Sequence, residues 1–320
     1  AAMPFFVAAL AAAPPAPARL RVGAIVLVAL GAAAVAAGVP AGFTPFGAAG
    51  GLAFLAGVAA LAGAMLLPLR RALGPSRGIV MAAYALALMD VATGTGLATL
   101  GLAGWTPVVE GWGAGRPAHA WLNLFGFVTL VIAGTMLHLY PTVVGARIAR
   151  RRSAFIAVAA LAAGAPLAAA GYLIRLDTAV IAGALAMTGG AGALAAYALA
   201  TWRSRARWTT DAGWHRFTSG ALSSAIGWLV IAALVAATRA VSAGADSAGW
   251  TVEPFLGPLV AGWVGVALLG SATHLLPAIG PGDQVRHARQ RALLGRWSAV
   301  RLVLLARPPP LARLAGECAP

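Results

Sequence analysis

Five histidines occur in this 320-residue chain, and two of them stand in one frame. GTMLHLYP at 134–141 and GSATHLLP at 270–277 both read Gly, three residues, His, Leu, any residue, Pro. Imidazole nitrogen is a ligand of haem iron and of copper. His138 and His274, each near the end of a long apolar run, are therefore candidate axial ligands of a haem b or two ligands of one metal ion such as copper. The plainer reading is that each closes its helix just before a proline, Pro141 or Pro277, that ends or bends it.

The remaining titratable residues extend that chemistry. His119 opens HAWLNLFGF, with Asn123 one turn on and so on the same helix face. Helix between His119 and His138 would run about 28 Å, so the two cannot share an iron. A second site for His119 would be copper, another haem or a quinol-facing hydrogen bond; otherwise it caps its helix. His215 lies between Trp214 and Arg216, where it is a candidate third nitrogen for His138 and His274 or a membrane-flanking residue. His287 falls in a basic tail and is expected to be solvated. Asp90, in ALALMDVATGTG, is the only acidic residue deep in an apolar run. Such groups are costly in a membrane and mark proton relays or ion paths, so Asp90, Thr93 and Thr95 form a candidate proton or ion path; a polar helix contact is the alternative. No HExxH, GxSxG, Walker loop or CxxCH occurs, and none of the chemistries tied to them has a case here.

The elements that must position these residues follow from composition. The chain is 61% hydrophobic and 10% charged, where soluble domains carry about a quarter charged residues. Apolar runs near 21–39, 49–68, 78–103, 119–144, 154–173, 179–201, 217–238 and 256–279 are each long enough to cross a hydrocarbon core of about 30 Å. The fold class is all-α: a polytopic membrane bundle of eight transmembrane helices. All 23 basic residues are arginine, and they alternate by loop. Alternate loops and both ends hold all but Arg116, Arg175 and Arg239, whereas Glu110, Asp177, Asp246 and Glu253 lie on the arginine-poor side. By the positive-inside rule both termini are cytoplasmic. The same distribution accounts for the charge of +15 and argues against nucleic-acid binding. Cys318 is the single cysteine, so no internal disulfide forms.

The shared frame implies two parallel repeats of four helices, 21–144 and 145–281, related by an axis along the membrane normal. An apolar segment at 1–20 precedes them, and a basic cytoplasmic tail at 282–320 follows, lying on the inner leaflet or in solvent. Gly- and Ala-rich faces suit close helix packing and homo- or hetero-oligomers alike.

HAWLNLFGFVTLVIAGTMLHLYPTVVG, residues 119–145, resembles the histidine-bearing spans of the haem–copper oxidase subunit I superfamily and its NnrS-like actinobacterial relatives. The residues carrying the resemblance are His119, Asn123, Gly126, Gly134, His138 and Pro141. The chain falls short of a complete oxidase in histidines and in crossings, so what the resemblance implies is a surviving haem or metal site rather than dioxygen reduction. On that footing the expectation is a haem-b or copper-binding protein of the bacterial cytoplasmic membrane, moving electrons or handling a small redox ligand, with a quinone or redox protein as partner. The alternatives are a transporter using Asp90 and the histidines, or a non-catalytic subunit of a respiratory complex.

Overall fold

The computed structural model describes residues 2–71, 78–146, 151–205, 215–279 and 282–306. Arg77, Arg147, Arg150, Arg207, Trp214 and Cys318 lie outside the described residues. Within them the chain is helical, without strands. In lipid every backbone N–H and C=O must be satisfied within the protein, and an apolar helix does that unaided.

The order is α1 (Ala2–Leu10), α2 (Ala18–Gly38), α3 (Thr44–Arg70), α4 (Gly78–Leu102), α5 (Thr106–Glu110), α6 (Trp112–Ala120), a π-helix π1 (Trp121–Val128), α7 (Thr129–Val144), α8 (Arg151–Ile174), α9 (Asp177–Arg203), α10 (Arg216–Ala243), α11 (Glu253–Phe255), a second π-helix π2 (Leu256–Gly265), α12 (Val266–Ile279), α13 (Gln284–Leu294) and α14 (Ser298–Ala306). Among the described residues eight helices are long and apolar enough to cross a membrane; α6, π1 and α7 form the fourth, and α11, π2 and most of α12 the eighth. The protein is thus an all-α bundle suited to a lipid bilayer.

Two compact units divide the chain. One comprises Ala1–Gly134, Ala162–Gly183 and Gly244–Trp250, the other Thr135–Leu161, Ala184–Ala243 and Thr251–Pro320. In the first, α2 packs on α3, α3 on α4, and α4 on π1, α5 and α6, around buried Tyr84, Val91, Trp121 and Phe125. In the second, α10 packs on π2, α12 and α14, around Leu222, Leu229, Phe255, Leu259 and Trp263. The Trp228 indole donates to the Leu305 carbonyl at 3.0 Å, and Arg301 lies 3.8 Å from the Phe217 ring centroid. The basic tail thereby seats α14 along α10.

Glycines set the closest approaches, as in membrane helix pairs generally. A Cβ on Gly50 would stand 2.9 Å from the Gly31 carbonyl and 3.0 Å from the Val35 nitrogen; one on Gly183 would stand 2.7 Å from the Gly164 carbonyl and 2.5 Å from the Ala168 nitrogen. One turn-pair further, Gly57 meets the Val28 nitrogen and Gly190 the Leu161 nitrogen, each at 2.8 Å. So α2–α3 and α8–α9 make the same contacts in the same register. Similar glycine contacts occur between the third and fourth spans and between the seventh and eighth. Gly134 faces Ala83 and Tyr84, as Gly270 faces Ala221 and Leu222; Gly126 faces Asp90, as Gly262 faces Trp228.

Candidate functional site

Each of the two π-helices directly precedes, within its span, the helix that carries a framed histidine. A π-turn closes i to i+5 bonds and often sits at functional positions. In π1 the widened backbone is served by side chains: Asn123 Nδ2 donates to the His119 carbonyl at 2.8 Å, and Thr129 Oγ1 to the Leu124 carbonyl at 3.0 Å.

A polar cluster forms where α4 meets the α6–π1 segment. His119 Nδ1 lies 2.8 Å from the Gly94 carbonyl oxygen. A carbonyl only accepts, so a hydrogen bond to Gly94 needs a hydrogen on Nδ1; Asn123 Nδ2 also lies 3.3 Å from that atom. Asn123 Nδ2 sits against Gly94, close enough that no Cβ fits there. One turn away on α4, Asp90 is 6% exposed, and a Cβ on Gly126 would stand 2.5 Å from its Oδ2. That buried oxygen has no hydrogen-bond partner. Thr93 is exposed on α4; Thr95 is half-buried, and its carbonyl accepts from Thr99 Oγ1 at 2.8 Å. Asp90 is therefore brought together with Gly94, Asn123 and His119 rather than with the Thr93 side chain.

Beside this cluster, at its arginine-poor end, lies a cavity of about 690 Å³ lined by Trp112, Arg116, Arg175, Asp177, Asp246 and neighbouring loop residues. The Trp112 and His119 ring centroids are 6.2 Å apart. Arg116 Nη2 donates to the Trp250 carbonyl at 2.7 Å, and Asp177 Oδ1 accepts from the Ala245 backbone at 2.7 Å. Arg175 has φ +55 at the end of α8, with the Leu176 N–H reaching back to the Gly171 carbonyl at 2.8 Å. This closing turn ordinarily takes glycine. Two of the three arginines outside the arginine-rich loops thus line one cavity.

A second cluster forms in the other unit. The His215 and His274 rings lie 4.5 Å apart, edge to face at 84°. His274 Nδ1 is buried without a hydrogen-bond partner. His215, just ahead of α10, is held well below its usual pKa, at about 4, by burial first and then by His274 and Arg291; at neutral pH it is the uncharged form that binds metals. Alongside, Thr218 and Thr273 hydroxyls pair at 3.0 Å, tying α10 to α12. Tyr140 and Ser223 hydroxyls pair at 2.9 Å, tying α7 to the same two turns of α10. Half-buried His138 lies two residues before Tyr140, on a helix whose Leu137 carbonyl accepts from Tyr197 at 2.8 Å. Among the described residues no three His, Cys, Asp or Glu side chains gather closely enough to hold one metal ion. The structure thus pairs His215 with His274 and assembles no three-ligand group. His287 lies on α13.

Sequence reasoning raised His215 as a candidate neighbour of His274 but did not find the Asp90–Gly126 contact or the cavity. The Asp90–Gly126 contact left a trace: Gly126 and Gly262 stand equally far ahead of the framed histidines.

Fold and clusters define a polytopic helical membrane protein with two buried polar foci. No protein-family model, curated protein or solved structure matches the chain.

Proposed function

We propose that this is a metal-binding protein of the bacterial cytoplasmic membrane, with both termini cytoplasmic, serving electron transfer or the handling of a small redox ligand. His274 and His215 are the ligands in this reading, and copper is the ion that best suits them. The observation that carries it is the His274 Nδ1, buried and unpartnered beside a second imidazole. A buried polar atom without a partner costs roughly 1–3 kcal/mol and calls for a reason to persist.

The spacing of the His215–His274 pair supports the single-ion form of this reading. Imidazole nitrogens sit about 2.0–2.1 Å from a bound transition metal, which places rings on opposite sides of one iron roughly 6 Å apart or more. The 4.5 Å pair fits neighbouring positions on a single ion instead. Haem b would draw on His138 and His274, which occupy matching positions in the repeated frame. A bound copper would supply one-electron chemistry; the protein's part is to hold neutral imidazoles in an apolar setting, near a quinone or redox-protein partner.

Metal analysis and an oxidised-minus-reduced optical spectrum of the detergent-purified protein test this. Copper near one per chain, lost in His215→Ala and His274→Ala and kept in His138→Ala, supports the copper reading. A Soret band lost in His138→Ala and His274→Ala replaces it with haem b. A protein without metal or chromophore after expression with both supplied overturns both. The transport reading would then lead, favoured by the buried carboxyl of Asp90.

A further inference from the structure

Corresponding positions in the two helical hairpins carry opposite chemistry. The contacts of Gly126 with Asp90 and Gly134 with Ala83 and Tyr84 match those of Gly262 with Trp228 and Gly270 with Ala221 and Leu222. In that register Asp90, Gly94, His119 and Asn123 correspond to Trp228, Ala232, Phe255 and Leu259. Of the second set, Trp228 is 8% exposed, Phe255 2%, and Ala232 and Leu259 0%. The scaffold therefore closes around a quartet without a titratable side chain, its one polar group the Trp228 indole N–H that donates to Leu305. Polarity at the first quartet is not a requirement of packing, and it costs free energy in a low-dielectric interior.

We propose that Asp90, His119 and Asn123 form a proton-binding site reached from the arginine-poor face, with Asp90 as the group that takes the proton. Three observations join in this. The Asp90 carboxyl is buried with Oδ2 lacking a partner. His119 Nδ1 lies 2.8 Å from the Gly94 carbonyl oxygen, and its ring stands beside Trp112, which lines the cavity. Asn123 lies against Gly94, between the levels of His119 and Asp90. A gap of about one helical turn separates Gly94 from Asp90, a span that one bridging water can serve. The step is a reversible exchange: a hydronium in the cavity gives up a proton, an O–H bond forms on the Asp90 carboxylate, and the same bond breaks on release.

The elements packed on α4 are α3, π1, α5 and α6, and α7 meets it through Gly134. Their charged or titratable groups are Arg70 at the last residue of α3, Glu110 in α5, Arg116 and His119 in α6, and His138 and Tyr140 in α7; α4 itself adds Tyr84. π1 adds no charged or titratable side chain. This inference does not depend on metal at His215 and His274.

Infrared difference spectroscopy of the protein in lipid nanodiscs tests it. At acid pH the protein should show a carboxylic-acid C=O band that Asp90→Asn abolishes and that shifts when H2O is replaced by D2O. His119→Phe and Asn123→Leu install the residues the other hairpin already packs, and each should slow that shift by about a hundredfold or more, the scale on which a positioned proton-transfer group acts. His119→Gln serves where His119→Phe does not yield folded protein. A spectrum unchanged by Asp90→Asn overturns the proposal, as does exchange in the His119 and Asn123 variants as fast as in the parent. Metal content, measured on the same samples, should be unchanged, which separates this site from the histidine pair.

Discussion

Asp90 lays its carboxyl directly on the backbone of Gly126, where an added Cβ would stand 2.5 Å from Oδ2. The π-helix beneath it admits no side chain at that point. Gly126→Ala should cost about 1–3 kcal/mol through overpacking. Gly262→Ala, set against the rigid Trp228 ring, should cost at least as much. Thermal unfolding in detergent, followed by circular dichroism, measures both; a melting temperature equal to the parent's for Gly126→Ala would deny the close contact.

The Thr129 hydroxyl serves the Leu124 carbonyl from a fully buried position. Thr129→Val keeps the shape and removes that hydrogen bond. A loss of about 1 kcal/mol is expected, where Thr238→Val, exposed and bonded within its own helix, should change little.

Tyr140 and Ser223 tie the helix of His138 to the helix that follows His215. Tyr140→Phe and Ser223→Ala should each cost about 1 kcal/mol, and the double variant should cost less than their sum by more than about 0.5 kcal/mol. Strict additivity in the thermal-unfolding cycle would mean the hydroxyls do not meet.

Arg175 holds a left-handed backbone conformation, φ +55, that five glycines adopt elsewhere in the described chain. A non-glycine residue there costs roughly 1–2 kcal/mol. Arg175→Gly should therefore raise the melting temperature while removing one cation from the cavity. A stabilised variant would show that the arginine is kept for its side chain; a destabilised one would make it a structural residue.

Trp228 anchors α14 through its indole N–H. Trp228→Phe should lower stability by about 1 kcal/mol and raise deuterium uptake at 298–306 without altering uptake at α2 or α3. Equal uptake at 298–306 in parent and variant would separate α14 from this hydrogen bond.

Much of the architecture was legible in the amino-acid sequence because lipid imposes it. Eight apolar runs follow from satisfying backbone groups in hydrocarbon, and the eight long apolar helices among the described residues agree with them. The doubled histidine frame was legible as well, and so was the isolation of Asp90. The neighbours of these residues were not. In a soluble helix an apolar stripe tells which face is inside; α4 is almost evenly apolar around its circumference, so its sequence does not say that Asp90 and Gly94 face π1 while Thr93 faces outward. Spacing along the chain offers His215 as a neighbour of His274 but not the edge-to-face contact, which depends on how α10 and α12 pack. Helix identity is a local property written into each segment. Which faces meet depends on where glycines let backbones approach, and on the π-turns that rotate one stretch of helix against the next, and tertiary packing alone decides both.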